Sequence, residues 1–177
     1  MTLQLIPAWT DQGLRPVEKL EVHRRGLRHM AVSVFVMDGP RVLLQQRAAS
    51  KYHSGGLWAN TCCTHPRWGE DGAACAVRRL REELGITGLT PESRGTIEYR
   101  ADVPPDLVEH EVVDIFLAEA GPDLPIRPDP DEVQATRWVD LYELNAQVRR
   151  HPSRFTAWLR IYMAEHIDAI FGVANRA

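Results

Sequence analysis

The sequence predicts a mixed α/β (α+β) chain, and three stretches carry that prediction. Residues 30 to 37, MAVSVFVM, form a β-branched run long enough for a strand buried on both faces. Residues 109 to 118, EHEVVDIFLA, form a second strand whose first carboxylates, Glu109 and Glu111, alternate onto one side. Between them, Glu70 to Leu84 has helical periodicity and stops at Gly85, the residue type that ends helices in a left-handed conformation. A length of 177 residues suits one compact domain, because a core of this size already buries most of its apolar surface.

In chain order, Leu3 to Pro7 reads as a short strand, and Asp11-Gln12-Gly13 as a turn before a polar stretch containing Pro16 and Glu18. Lys19 and His23 are four apart, so a helix there sets both on one face. His29 stands at the start of the MAVSVFVM strand. Asp38-Gly39 signals a turn and Val42 to Arg47 a second strand, so residues 30 to 47 are expected to form a hairpin with Arg47 at its far end. A loop containing Ser50, Lys51, Tyr52, His53 and Gly55-Gly56 leads to Trp58.

In the helix from Glu70, the alanines, Val77, Leu80 and Leu84 are expected on the packing side, while Arg78/Glu82 and Arg79/Glu83 form i, i+4 pairs. Thr96 to Ala101 reads as a strand, separated from EHEVVDIFLA by a loop at Pro104-Pro105. After the proline-rich loop from Pro122 to Pro130 come a strand at Ala135 to Val139 and a helix beginning near Leu141. Phe155, Trp158, Leu159, Tyr162 and Ile167 recur at helical spacing, predicting an amphipathic helix over Ser153 to Phe171.

Bulk charge argues against a polyanionic partner. Lys and Arg number 21 against 24 Asp and Glu, a net charge of -3, so neither nucleic acid nor an anionic membrane is called for, and an anionic ligand must be held by a local cluster. Three cysteines, two of them adjacent, fit neither a disulfide framework nor a four-cysteine zinc site and point to a reducing compartment. MTLQLIPAWTDQG lacks the basic start and apolar core of a signal peptide, and no later run approaches the ~20 apolar residues of a membrane span. A soluble, cytoplasmic protein is expected.

The chemistry concentrates between Trp58 and Gly85. Cys63 and His65 are one residue apart, which in an extended segment points both side chains to the same face, and Pro66 and Gly69 then break the strand. The candidate metal ligands are His23, His29, His65, Glu109 and Glu111, a nitrogen and oxygen mixture that suits Zn²⁺, Mn²⁺ or Mg²⁺ rather than Cu(I). Taken singly, each histidine also fits an ordinary hydrogen-bonded side chain, and the Glu109/Glu111 pair fits the solvent face of an edge strand. Cys63 reads as a nucleophile, a proton donor or a buried small residue. A nearby metal, the following helix N-terminus and Arg79 would favour its thiolate, with Cys62 facing the other way as a structural residue. Lys19, Arg47, Lys51 and Arg79 are either four surface charges or a clamp for a diphosphate.

These residues resemble those of the type I isopentenyl-diphosphate isomerases, which have a Nudix-like fold, a mixed central sheet flanked by helices. The resemblance covers residues about 15 to 165 and rests on NTCCTHP together with VEHEV. It implies that His23, His29, His65, Glu109 and Glu111 form a metal site, that Cys63 and Glu111 are the acid/base residues on opposite faces of the substrate, and that Tyr99, in EYRA, assists Glu111. It further implies that Trp158 lies over the reacting carbon, where an indole face stabilises a tertiary carbocation. A second ion, Mg²⁺, would bridge the substrate diphosphate, Glu83 and the Cys63 carbonyl, and Lys19, Arg47, Lys51 and Arg79 would complete the clamp. No flavin or nicotinamide is expected. A monomer is expected, with a homodimer as the alternative. One domain spanning 1–177 is expected, in which the N-terminal segment (about 1–28) and the C-terminal helix (about 153–171) close over the site and exclude water.

One departure bears on the chemistry. The Nudix hydrolase pattern can be laid on Thr64 to Ile86 so that Glu70, Arg78, Leu80, Glu82, Glu83, Gly85 and Ile86 fit, but Thr64 replaces its opening glycine and Arg79 a metal-binding glutamate. Exchanging an anionic ligand for a cation removes a carboxylate that gathers Mg²⁺ and adds a donor for the diphosphate. The pattern therefore favours holding the diphosphate over cutting it. A Nudix-type diphosphate hydrolase and a non-catalytic zinc-binding domain are the alternatives.

Overall fold

The computed structural model describes residues 4–172. Leu3, where the expected first strand begins, lies outside them. The described residues build a nine-stranded mixed sheet around β3 (His29–Asp38). On one side β3 runs parallel to β8 (Leu107–Glu119), from His29↔Glu111 to Met37↔Glu119. Its other edge is shared in succession by β1 (Leu5–Thr10), β6 (Cys62–Thr64) and β4 (Arg41–Arg47).

The hairpin expected over residues 30 to 47 is therefore paired only beside its turn, at Met37↔Val42 and Asp38↔Arg41. Thr61 supplies the reason. Its hydroxyl accepts from the Val36 N–H at 2.8 Å and donates to the Leu43 carbonyl at 2.6 Å, wedging the two strands apart. β6 fills the gap on β3, while β4 pairs along its length with β9 (Val133–Asp140) and briefly with β5 (Trp58–Ala59). β7 (Glu92–Val103) covers the far edge of β8 in antiparallel register, which makes β8 an interior strand.

The period-two pattern of β3 builds a core on each face of the sheet. Ala31, Phe35 and Met37 pack with Val113, Ile115 and Leu117 of β8 against α3 (Leu141–Arg150) and α4 (Ala157–Glu165). Val32, Val34 and Val36 pack on the opposite face against Leu80 and Leu84 of α2 (Gly72–Leu84). That face is built by Cys75, Ala76, Leu80 and Leu84, whereas Val77, expected among them, is 50 % exposed. One residue is about 100° of helical turn, which carries Val77 off the stripe that Ala76 and Leu80 occupy.

α2 begins at Gly72 rather than Glu70 because Asp71 caps it, accepting from the Ala74 N–H at 2.9 Å. Glu70 is left free to staple the preceding turn to the helix. It accepts from Arg78 Nε and Nη2 at 2.6 and 2.7 Å and from the Arg67 N–H at 2.8 Å. At the other end Gly85 has φ +64°, and an added Cβ would meet Arg127 Cβ at 2.9 Å, so both conformation and space require glycine.

Both chain ends differ from expectation in detail. Gly13–Glu18, read as a turn and a polar stretch, is strand β2, which among the described residues pairs only with β1; a proline is tolerated on such an edge, and Pro16 faces Pro7. α1 (Lys19–Arg25) follows, as the Lys19/His23 spacing allowed. The helix expected over Ser153 to Phe171 is broken into a 3₁₀ turn (Pro152–Arg154), α4 and α5 (Ile167–Phe171). The chain first runs extended, with the Thr156 N–H bonded to the Trp58 carbonyl at 3.0 Å, before the Thr156 hydroxyl caps α4.

Two predictions test this packing. Leu80→Ala is expected to cost about 2–5 kcal/mol in denaturant unfolding, and Val77→Ala to stay within about 0.5 kcal/mol of the wild type; equal losses would refute the assigned faces. The Arg78 guanidinium holds Glu70 at about 2 instead of its ordinary 4.5. A carboxyl with a depressed folded pKa contributes stability above its unfolded value that disappears as pH falls through the folded one. Glu70→Gln should thus be less stable than the wild type at neutral pH, with the gap closing between pH 4.5 and about 2. A gap unchanged by pH would rule out the ionised pair as its source.

Candidate active site

One face of the sheet carries most of the site, because residues two apart on a strand share a side. Glu109 and Glu111 of β8 point to that face, with His29 of β3 in register with Glu111 on one flank and Tyr99 of β7 on the other. Cys63 lies opposite Ser33 across the other edge of β3, and His65 continues the same side beyond β6. The thiol and the carboxylates thus come from opposite flanks of β3. Glu109 and Glu111 are 2 % and 7 % exposed on an interior strand, so the solvent-face reading of the pair does not hold.

Two adjacent buried carboxylates must be compensated by partners, and imidazoles surround them. Glu109 Oε2 lies 3.2 Å from His23 Nε2 and 3.8 Å from His29 Nε2, and its Oε1 lies 3.0 Å from His53 Nε2. Glu111 Oε1 lies 3.1 Å from His65 Nε2 and 3.6 Å from His29 Nε2, while its Oε2 accepts from the Tyr99 hydroxyl at 2.7 Å. One ligand atom from each of His23, His29, His65, Glu109 and Glu111 lies within 4.8 Å of all the others, a buried group that could hold a divalent ion.

Orphaned atoms support that fit. His23 Nε2, His29 Nε2 and Glu109 Oε2 are buried with no hydrogen-bond partner. His23 and His29 direct Nδ1 to the carbonyls of Lys19 and Leu27 at 2.6 and 2.8 Å, which puts the proton on Nδ1 and the lone pair on Nε2. The shifts of the cluster oppose one another. Burial and the Glu109 charge raise Glu111, whereas on Glu109 burial acts upward but His23 and His53 outweigh it and hold the carboxyl well below its ordinary range. Burial lowers His29, yet Glu111 and Glu109 raise it overall; burial, Lys19, His29 and His23 together hold His65 well below 6.5. Protons or a divalent cation must balance the two carboxylates, and nitrogen plus oxygen donors suit a borderline or hard ion.

Cys63 differs from expectation. Its sulfur donates to Asn60 Oδ1 at 2.7 Å and lies 3.3 Å from the Ser33 hydroxyl, which in turn lies 2.9 Å from the Tyr162 hydroxyl. Burial pushes the thiol up, and Glu111 and Glu83 add to this against the Ser33 hydrogen bond and Arg47. The expected influence of Arg79 fails because that guanidinium is spent on carboxylates, bonding Glu83 at 2.6 Å and Glu82 at 3.0 Å. Cys62 packs in the opposite core, as expected of a structural residue.

A small cleft of about 30 Å³ lies over this face, and Lys19, Arg47, Lys51 and Arg79 line it together with Cys63, His65, Glu83, Glu109, Glu111 and Trp158. The four cations, scattered in sequence, are thus not independent surface charges. Burial and the nearness of Lys51, Arg47 and Arg79 bring the Lys19 ammonium down to about 8. Arg79 and Glu83 reach the cleft from α2, where Gln45 donates to Glu83 at 3.1 Å. Lys51 is paired with Glu132. Trp158 is buried at the start of α4, with the Arg47 guanidinium 5.3 Å from its ring centroid.

Sequence reasoning missed several members. His53 stood in a loop without assigned chemistry, yet it is 5 % exposed and bonded to Glu109. Ser33, Asn60 and Tyr162 lay in runs read as strand or helix, and Glu132 followed a proline-rich loop. The one local signal was Tyr52-His53, aromatic residues beside Lys51 in an otherwise small and polar loop.

The chain matches the NUDIX domain model over residues 27–159. It is 68 % identical over 169 residues to an isopentenyl-diphosphate Delta-isomerase of Cereibacter sphaeroides, covering 96 % of each chain. A protein of the same name from Dinoroseobacter shibae is 68 % identical, covering 95 % of this chain and 96 % of the relative, and one from Rhodobacter capsulatus is 57 % identical, covering 97 % of both. Among solved structures, a Deinococcus radiodurans protein superposes with a TM-score of 0.72 at 12 % identity, covering 90 % of this chain and 97 % of that one. A MutT NUDIX hydrolase of Burkholderia pseudomallei gives 0.60 at 23 % identity, covering 77 % and 95 %. These two likenesses concern the fold.

The histidine and carboxylate cluster makes a prediction of its own. Added Mn²⁺ or Zn²⁺ should raise the unfolding temperature of the wild type, corresponding to about 2.7 kcal/mol at a concentration 100 times Kd. Glu109→Gln should lose most of this response in a thermal melt; a response equal to the wild type would exclude the cluster as the binding site.

Proposed function

The chain belongs to the isopentenyl-diphosphate Delta-isomerase family of NUDIX proteins, and from that premise we propose that it interconverts isopentenyl diphosphate and dimethylallyl diphosphate in isoprenoid precursor synthesis. The observation that carries the reading is a thiol, Cys63, and a carboxylate, Glu111, delivered from opposite flanks of β3 into a cleft that also holds four cationic side chains.

Lys19, Arg47, Lys51 and Arg79 grip the diphosphate. Arg79 stands where the hydrolase pattern has a ligand carboxylate, and it neutralises Glu83 instead of adding a charge to gather ions. The phosphorus is held while the hydrocarbon end reacts. An unactivated alkene is a poor base, so its protonation needs a strong acid in a dry site. The Glu111 and Tyr99 pair, joined by a 2.7 Å hydrogen bond, and Cys63 serve as donor and acceptor across the substrate: whichever starts the turnover protonated gives its proton, the other starts as the carboxylate or thiolate and takes one, and the roles exchange with reaction direction. One protonates the terminal carbon and the other removes a proton from the carbon on the far side of the tertiary cation. The face of Trp158 stabilises that cation, with the apolar core behind it excluding water.

A divalent ion, Zn²⁺, Mn²⁺ or Mg²⁺, held by His23, His29, His65, Glu109 and Glu111 would supply positive charge that strengthens the Glu111 and Tyr99 acid. Glu83 and the Cys63 carbonyl would hold a Mg²⁺ that accompanies the diphosphate. Residues 1–177 act as a single catalytic domain in which the N-terminal segment contributes Lys19 and His23, and the C-terminal helix Trp158. Free cysteines at 62, 63 and 75 fit a cytoplasmic setting, and the near-neutral charge fits a protein that binds a small diphosphate and neither nucleic acid nor an anionic membrane.

Incubation with isopentenyl diphosphate and Mg²⁺ in D₂O, followed by proton and phosphorus NMR, should give deuterated dimethylallyl diphosphate with its diphosphate intact. Phosphate release would instead identify a hydrolase, and an unchanged spectrum a binding module. Cys63→Ala should lower kcat by about 10² to 10⁴, and Tyr99→Phe by about 10- to 100-fold, the worth of a hydrogen bond to a charged group. Full turnover by Cys63→Ala would sink its acid/base role.

A further inference from the structure

Four imidazoles meet at Glu109 and Glu111; His65 Nδ1 has no hydrogen-bond partner, and the Nδ1 atoms of the other three are held in two different ways. His23 and His29 donate Nδ1–H to backbone carbonyls, so each turns a bare Nε2 toward the carboxylates. His53 is the reverse case. Its Nδ1 lies 3.1 Å from the Ser54 hydroxyl, which can donate to it, and its Nε2 lies 3.0 Å from Glu109 Oε1, an acceptor only. By distance, too, His53 lies outside the group of five residues whose ligand atoms lie within 4.8 Å of one another.

We infer that His53 is a positioning residue for the ion cluster: its Nε2–H ties down Glu109 Oε1 and thereby turns Oε2 toward the bare nitrogens of His23 and His29. Those nitrogens lie 3.2 and 3.8 Å from Oε2. A carboxylate on a strand retains rotation about its terminal torsion, and a fixed donor on one oxygen removes it. The inference rests on reading the cluster as a metal site.

The surroundings hold the imidazole in this pose. It is 5 % exposed, with the Tyr52 ring edge-on at 4.5 Å and the Trp158 ring edge-on at 6.0 Å between centroids. Ser54, the residue that completes its hydrogen bonding, has φ +53°, a left-handed conformation that a non-glycine residue adopts at a cost. His53 therefore touches the ion cluster on one side and the indole of the cleft on the other.

The test titrates the full-length protein, without substrate, with Mn²⁺ against a fluorescent chelator. His53→Ala should weaken Mn²⁺ binding about 10- to 100-fold, as loss of an outer hydrogen-bonding partner of a metal ligand does. His53→Gln, whose amide restores an N–H donor, should recover most of that loss. Wild-type affinity in a folded His53→Ala, or an affinity in His53→Gln as weak as in His53→Ala, overturns the assignment. If His53→Ala fails to fold, Ser54→Ala removes only the hydroxyl that selects the tautomer; it should weaken binding by a smaller factor, and unchanged affinity there equally overturns it. Because no isopentenyl diphosphate is present, a wild type that binds Mn²⁺ without isomerising counts against the isomerase reading alone.

Discussion

Two carboxylates two residues apart on an interior strand impose the central constraint on this molecule. Glu109 and Glu111 are both buried beside each other in β8, and a pair of that kind is tolerated only when surrounding groups supply protons or positive charge. The chain answers from both directions. α1 brings His23, the start of β3 brings His29, the segment after β6 brings His65, and the loop before Trp58 brings His53. Elements distant in sequence are thus drawn to one end of the sheet by charge as well as by apolar packing, and the parallel pairing of β3 with β8 sets His29 level with Glu111.

The same sheet separates two kinds of electrostatic work. At the buried end, opposed shifts on neighbouring groups make the cluster receptive to a divalent ion, while Tyr99 bonds the outer oxygen of Glu111. At the cleft end, cations outnumber the carboxylates that restrain them: Arg79 is tied to Glu83 and Lys51 to Glu132, which orders these side chains in the cleft. Cys63 sits between these regions, its thiol raised by burial. Its acceptor, Asn60 Oδ1, is oriented because the Asn60 amide donates to the carbonyls of Val34 and Cys62 at 3.0 and 3.1 Å.

Much of the fold was legible locally. Gly85 ended α2, the β-branched run at 30–37 was buried on both faces, and the Arg78/Glu82 and Arg79/Glu83 pairs formed at their i, i+4 spacing. The elements that escaped were those whose partners lie far away. β2 contains a proline and reads as a loop until β1 pairs with it; the 30–47 hairpin reads as continuous until Thr61, from a later segment, wedges it open. The C-terminal helix was interrupted because Thr156 bonds to Trp58. Val77 shows a different limit, since an apolar residue at the border of a helical stripe can fall on either side of it.

The sequence by itself determined the reactive residue types, the side on which neighbouring strand residues must lie, and the departure at Arg79 from the hydrolase pattern. These follow from spacing and chemistry within a few residues. Tertiary structure alone decided that Glu109 and Glu111 are interior, that burial raises the Cys63 thiol, and that His53 belongs to the site. Burial and the direction of a hydrogen bond are set by what packs against a residue from elsewhere in the chain. The upward shift of the Cys63 thiol therefore follows from its burial and from Glu111 and Glu83, against Ser33 and Arg47, groups brought to it from elsewhere in the chain.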